Sequence, residues 1–264
     1  MTALSVAILL IAIVIYFLIR NKKAAVPVVT EAATHYSELL EKQVNFYQNL
    51  DKKDKTRFEA MVADFLQYVR IEGVGTAITD LDRVLIASSA VIPIFGFSGW
   101  KYSNLSNVVL YPDTFDKDFQ FEGENRNIMG MVGFGYMNGQ MLLSRAALIK
   151  GFSRQSGSEN TAIHEFVHLL DKSDGATDGV PENLMAHEYT RPWLKLMHQE
   201  MRRISSGNSD INPYALTNEA EFFAVASEYF FEKPDKLQQR HPELYELLTK
   251  IFSQDPVSIS EYPS

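Results

Sequence analysis

His164, Glu165 and His168 fall in the order His-Glu-Phe-Val-His within a chain of 264 residues. On an α-helix, residues four apart share a face, so both imidazoles can reach one metal ion from the same side. Two histidines and one further carboxylate hold zinc while leaving its fourth position to water. A carboxylate directly after the first histidine is placed to take a proton from that water and make it a nucleophile. The residue types predict metal-assisted hydrolysis, with Zn2+ as cofactor, His164 and His168 as ligands and Glu165 as general base.

That chemistry needs a helix beneath it. Ser158 to Asp171 reads as one, with Ser158 or Asn160 available as N-cap and Ile163, Phe166, Val167, Leu169 and Leu170 as apolar surface around the histidines. Burying two polar rings on so apolar a helix costs free energy unless they find partners, and a metal supplies one.

A third ligand has two candidate places. Asp174 stands ten residues after His164, where metzincins continue their motif, but that pattern turns the chain on a glycine where this sequence has Asp171. The other place is Asn218 to Glu232, which reads as a helix carrying Glu219, Glu221 and Glu228. Glu221 sits between Ala220 and Phe222, and Glu228 follows two helical turns later on the same face. One carboxylate on the metal and another behind it, orienting a histidine, would satisfy both; Glu219 is more simply solvated. Asp171 reads either as a partner of a ligand histidine or as a helix-end cap. His187 and His198 read as surface or structural residues.

Composition narrows the alternatives. The absence of cysteine excludes disulfides, thiolate zinc sites and a cysteine nucleophile. A formal net charge of −8 leaves no basic footprint, so a nucleic-acid partner is not expected. Ala3 to Ile19 is an uncharged apolar run, at the short end of what spans a bilayer, followed by Arg20, Lys22 and Lys23. A signal peptide carries its charge ahead of the run, so the pattern predicts a single-pass membrane helix with residues 3–19 in lipid. The basic flank then places the catalytic domain in the cytoplasm.

The rest of the chain supplies elements to position the site. After a linker at Ala24–Val29, Thr30–Leu50 and Asp51–Arg70 read as amphipathic helices, and Asp80–Phe95 as a helix apolar all round and therefore central. Asn107–Tyr111 reads as a buried strand and Asp113–Asn127 as a surface loop. Met131–Ser144 carries Asn138-Gly139 between apolar runs, the signal of a hairpin closed by a type I′ turn. Its second strand, Gln140–Ser144, is the candidate to pair with an extended peptide substrate. The fold class is α+β. The boundaries are an anchor and basic flank at 1–23, a linker and helix at 24–49, a zinc peptidase domain at 50–255 and a C-terminal tail at 256–264.

Several blocks carry a resemblance. They are His164 to Asp171, Asp174-Gly175, Gly179-Val180-Pro181, Tyr214-Ala215, Ala220 to Phe231 and, upstream, Val108 to Pro112. Together they resemble the Mlc titration factor A family of zinc-dependent peptidases over about residues 50–255. The resemblance implies a zincin-like fold and a gluzincin-type metallopeptidase, with zinc on His164, His168 and Glu221 and with Glu165 as base. Members are also similar to the anthrax lethal factor protease domain, where a tyrosine seven residues before the third-ligand glutamate assists catalysis; Tyr214 holds that offset from Glu221. The described bacterial member is soluble and sequesters a glucose-responsive transcriptional repressor, so a regulatory protein joins a peptide or protein substrate among the implied partners. The membrane span sets this chain apart from that member. A zinc-containing binding module that sequesters a regulator is therefore the alternative to an enzyme, and the presence of Glu165 favours the enzyme.

Overall fold

A computed structural model describes residues 31–123, 126–133, 135–153 and 157–261. The apolar run Ala3–Ile19 lies outside them, and among the described residues no helix is long and apolar enough to cross a membrane. Residues from Tyr36 onward form one compact unit.

Helices α1 (Glu31–Gln43) and α2 (Asn45–Gln48) divide the segment expected as one helix. The break falls at Val44, which is fully buried in an extended conformation. Leu40, Val44, Tyr47 and Leu50 enter the main core, so this segment packs into the body. Helix α3 (Lys52–Tyr68) starts where Asp51 accepts the Asp54 N–H at 2.7 Å, and it buries Phe58, Val62 and Phe65 on one face. After strand β1 (Arg70–Gly73), helix α4 (Asp80–Ile94) opens with a reciprocal Thr79–Asp82 capping box and is buried from Val84 to Ile94, the central helix its composition predicts.

Strands β2 (Asn107–Tyr111), β3 (Gly130–Val132) and β4 (Gln140–Ser144) complete a mixed sheet of order β1-β2-β4-β3. β1, β2 and β4 run parallel, and β3 is antiparallel to β4. The expected hairpin is present, but its turn is not type I′. The ladder closes at Gly133 and Gln140 (2.9 Å), which leaves residues 134–139 as the connection. A type I′ turn needs positive φ at both central residues, and only Gly139 (φ +87°) has it, not Asn138.

The role expected of β4 also moves. β4 lies between β2 and β3, so both rows of its backbone groups are used, and it has no edge for a peptide. The edge strand on this side of the sheet is β3. The Ser144 N–H donates to the Met129 carbonyl (2.8 Å) and the Gly133 N–H to Gln140, so alternation turns the N–H and C=O of Gly130 and Val132 outward.

Ser144 ends the sheet and caps α5 (Arg145–Gly151) by accepting the Ala147 N–H. Helix α6 (Thr161–Asp171) packs against α4 and against α8 (Glu219–Glu232), and β3 crosses it. Phe166 fixes its apolar face, with its ring 5.2 Å from Tyr102 and 5.8 Å from Phe65. A fully buried aromatic of this kind contributes about 1.5–3 kcal/mol. Helix α7 (His187–Ser205) and a 3-10 turn (Pro213–Leu216) precede α8, while α9 (Pro234–Arg240) and α10 (Pro242–Phe252) follow it. Residues 256–261, read as part of a tail, form helix α11 (Pro256–Glu261), whose Val257 is buried.

Candidate metal centre

Asn160 starts the helix that carries the histidines. Its side-chain oxygen accepts the Ile163 N–H (3.2 Å), while its own N–H donates to Glu228 Oε2 (2.5 Å) and its Nδ2 to Glu232 Oε1 (2.8 Å). One fully buried residue thus sets the start of α6 against two carboxylates one turn apart on α8. Asn218 performs the same capping on α8, accepting the Glu221 N–H at 2.9 Å.

With both helices set, the polar groups converge. His164 Nδ1 lies 2.7 Å from Glu228 Oε1, and its Nε2 lies 2.9 Å from Glu221 Oε2. His168 Nε2 stands 3.1 Å from His164 Nε2 and 3.5 Å from Glu221 Oε2. His164, His168 and Glu221 therefore offer three donor atoms within 4.8 Å of one another. Zinc bonds of about 2.0–2.1 Å in tetrahedral geometry imply donor–donor separations of about 3.3 Å. The observed triangle of 2.9, 3.1 and 3.5 Å brackets that value, and its two imidazoles and one carboxylate are ligands zinc accepts. The donor set fits zinc.

Electrostatics follow from the same contacts. Burial disfavours the charged form of His164, but the Glu221 and Glu228 carboxylates outweigh it and push the imidazole up to about 10. Burial pushes against ionisation of Glu221 as well, yet the two histidines bring its carboxyl down to about 2. Glu165, 7 % exposed, is raised by burial, against the opposing pull of His164 and His168. Tyr214 is raised by burial and then by the carboxylates of Glu221, Glu165 and Glu228.

These groups face a cleft of about 450 Å3, walled on one side by the edge of β3 and on the other by Tyr214, Asn218 and Ala220. Tyr214 is 53 % exposed on its 3-10 turn, with its ring 6.1 Å from that of His164. The cleft thus gathers five of the residues singled out in the sequence: His164, Glu165, His168, Tyr214 and Glu221. Glu228 lies directly behind His164.

Asp171 is fully buried at the end of α6, where burial lifts its carboxyl to about 6 against the Gly179 N–H that it accepts at 2.9 Å. Gly179 (φ +77°) in turn accepts the Trp193 indole N–H at 2.7 Å, so Asp171 ties the following loop to α7. Its other oxygen and His168 Nδ1 are both buried without a hydrogen-bond partner among the described residues.

Other candidates are placed elsewhere. Asp174 accepts the N–H groups of Ala176 (3.0 Å) and Glu182 (2.9 Å), so it organises the loop and is not one of the converging donors. Glu219 pairs with His198 at 3.3 Å on the surface, and His187 is exposed at the start of α7. Asn160 was legible only as a cap. Its grip on Glu228 and Glu232 had one trace in the sequence, the spacing of four between those glutamates.

Comparison with known proteins adds an independent finding. The model of the family described as glucose-regulated metallo-peptidase M90 matches residues 19–253. The uncharacterized protein slr2042 of Synechocystis is 30 % identical over 235 residues, covering 84 % of this chain and 85 % of that one. Proteins named Mlc titration factor A are 26 % identical over 224 residues in Pectobacterium atrosepticum (79 % of this chain, 82 % of that one) and 28 % over 224 residues in Klebsiella pneumoniae (80 % and 83 %).

Proposed function

Because the chain belongs to the glucose-regulated metallo-peptidase family M90, we propose that it is a zinc-dependent peptidase of the gluzincin type, using His164, His168 and Glu221 as ligands. The observation that carries this reading is the convergence of those three donor atoms in one cleft, with Glu165 beside them.

Zinc, when bound, supplies Lewis acidity, which lets water ionise near neutral pH. The chain's own residues do the rest. Glu165 takes the proton of the attacking water and returns it to the leaving amine. Glu228 holds His164 Nδ1 so that Nε2 faces the centre. The Tyr214 hydroxyl donates to the oxyanion that develops on the scissile carbonyl. Asp171 secures the loop behind the second histidine through Gly179. The outward N–H and C=O groups of Gly130 and Val132 pair with the main chain of an extended peptide.

The test is Glu165→Gln, assayed on a fluorogenic peptide library with zinc content measured in parallel. The substitution should leave zinc bound and cut hydrolysis by on the order of 100-fold or more. Unimpaired hydrolysis would sink the mechanism.

A second reading is favoured by the name of the relatives, titration factors for Mlc: a zinc-containing module that sequesters a transcriptional regulator. Under that reading Glu165→Gln would leave the biological effect intact. We also propose that the apolar run Ala3–Ile19 anchors the chain in a bilayer, on its composition and its basic flank.

A further inference from the structure

We infer that Gly130, on the β3 edge of the sheet, is a positioning residue for Glu165: the missing side chain at this one place lets the carboxylate stand beside the metal ligands. The inference rests on the peptidase reading above. A Cβ on Gly130 would lie 2.7 Å from Glu165 Cγ, 2.9 Å from Glu165 Oε1 and 2.9 Å from Thr161 Cγ2. Carbon atoms in comfortable contact stand about 3.5–4.0 Å apart, so all three approaches are forbidden to a methyl group.

Backbone conformation does not explain the glycine. Gly130 is not among the glycines of positive φ, so an L-residue can adopt its φ and ψ. Space alone requires it. Of the groups a methyl would displace, α6 is held by the Asn160 cap and β3 by its ladder to β4. The side chain of Glu165 is the softest of them, so the carboxylate is what moves.

The same residue turns its N–H and C=O toward the cleft, where a peptide main chain would pair. The base and the substrate backbone are therefore referenced to a single Cα. Any other residue at 130 would keep the edge for the peptide and misplace the base.

The experiment uses the full-length chain as parent, Gly130→Ala, Glu165→Ala, Gly130→Ala/Glu165→Ala and Gly130→Ala/Thr161→Ala. Zinc affinity, kcat and KM on a fluorogenic peptide library, and melting of the zinc-free proteins are recorded. Gly130→Ala should keep zinc and KM near parent values while kcat falls on the order of 100-fold. It should lower the zinc-free Tm by roughly 2–10 °C in the parent background and by clearly less in the Glu165→Ala background, where only the Thr161 Cγ2 contact remains. If the single variant fails to fold, folding of the Glu165→Ala double variant supports the contact, and its failure overturns it. Equal Tm losses in both backgrounds, or recovery of kcat when Thr161 is trimmed, would also overturn it. A parent that cleaves no peptide removes the peptidase reading, while the zinc-free Tm comparison still decides the contact.

Discussion

Glu221 and Asp174 are both carboxylates downstream of the histidines, and spacing alone could not choose between them. The structure separates them by what each already touches: Asp174 accepts two loop N–H groups, whereas Glu221 faces both imidazoles. Glu221→Ala should therefore lose zinc and Asp174→Ala should keep it, as read by metal content after dialysis. Chelation supplies the matching stability readout. A ligand at about 100 times its Kd adds about 2.7 kcal/mol to the folded state. Chelator should thus lower the parent Tm by roughly 5–10 °C and leave Glu221→Ala unmoved. An equal chelator shift in both proteins would reject Glu221 as a ligand. His164, Glu165 and His168 were legible because their chemistry lies within five consecutive residues. Gly130 was not, because its reason is a neighbour 35 positions away in sequence.

At the scale of elements, helices were legible where apolar residues ran unbroken, on one face in α3 and nearly all round in α4, α6 and α8. Sheet roles were not. Alternation marks a strand but says nothing about which neighbours it finds, and so β4 was expected at an edge that β3 occupies. The position of α8, which carries Glu221 and Glu228, depends on a second cluster. His241 is buried between Glu200 (2.8 Å) and Asp210 (3.0 Å). Asp210 also receives the Tyr229 hydroxyl and the Lys236 and Arg240 cations, and Glu200 pairs with Arg203. Burial disfavours the imidazolium, but the two carboxylates raise the pKa of His241 above its ordinary value. A raised folded pKa means stability that is fully present below about 6.5 and lost as pH rises through the folded value. His241→Gln should cost about 3 kcal/mol at pH 6, and the gap to the parent should narrow at alkaline pH. Urea unfolding from pH 5.5 to 9 measures this. Taking the difference between the two proteins removes the contribution of His164, and a gap constant with pH would count against a charged His241.

On the scale of the whole molecule, the site lies within the body and the family match runs from residue 19 to 253, while the anchoring proposal rests on residues outside the described structure. Carbonate extraction of membranes should retain the full chain and release a form lacking residues 1–23; release of both would remove the anchor. The short β3 edge has a consequence for affinity. Gly130 and Val132 offer backbone partners to only a few peptide groups, and each such hydrogen bond contributes about 1 kcal/mol net. Main-chain pairing alone then supports a dissociation constant no tighter than about millimolar. A peptide held there would leave about as readily as it arrives, so selection among substrates would depend on how concentrated a peptide is near the cleft as much as on which residues it presents.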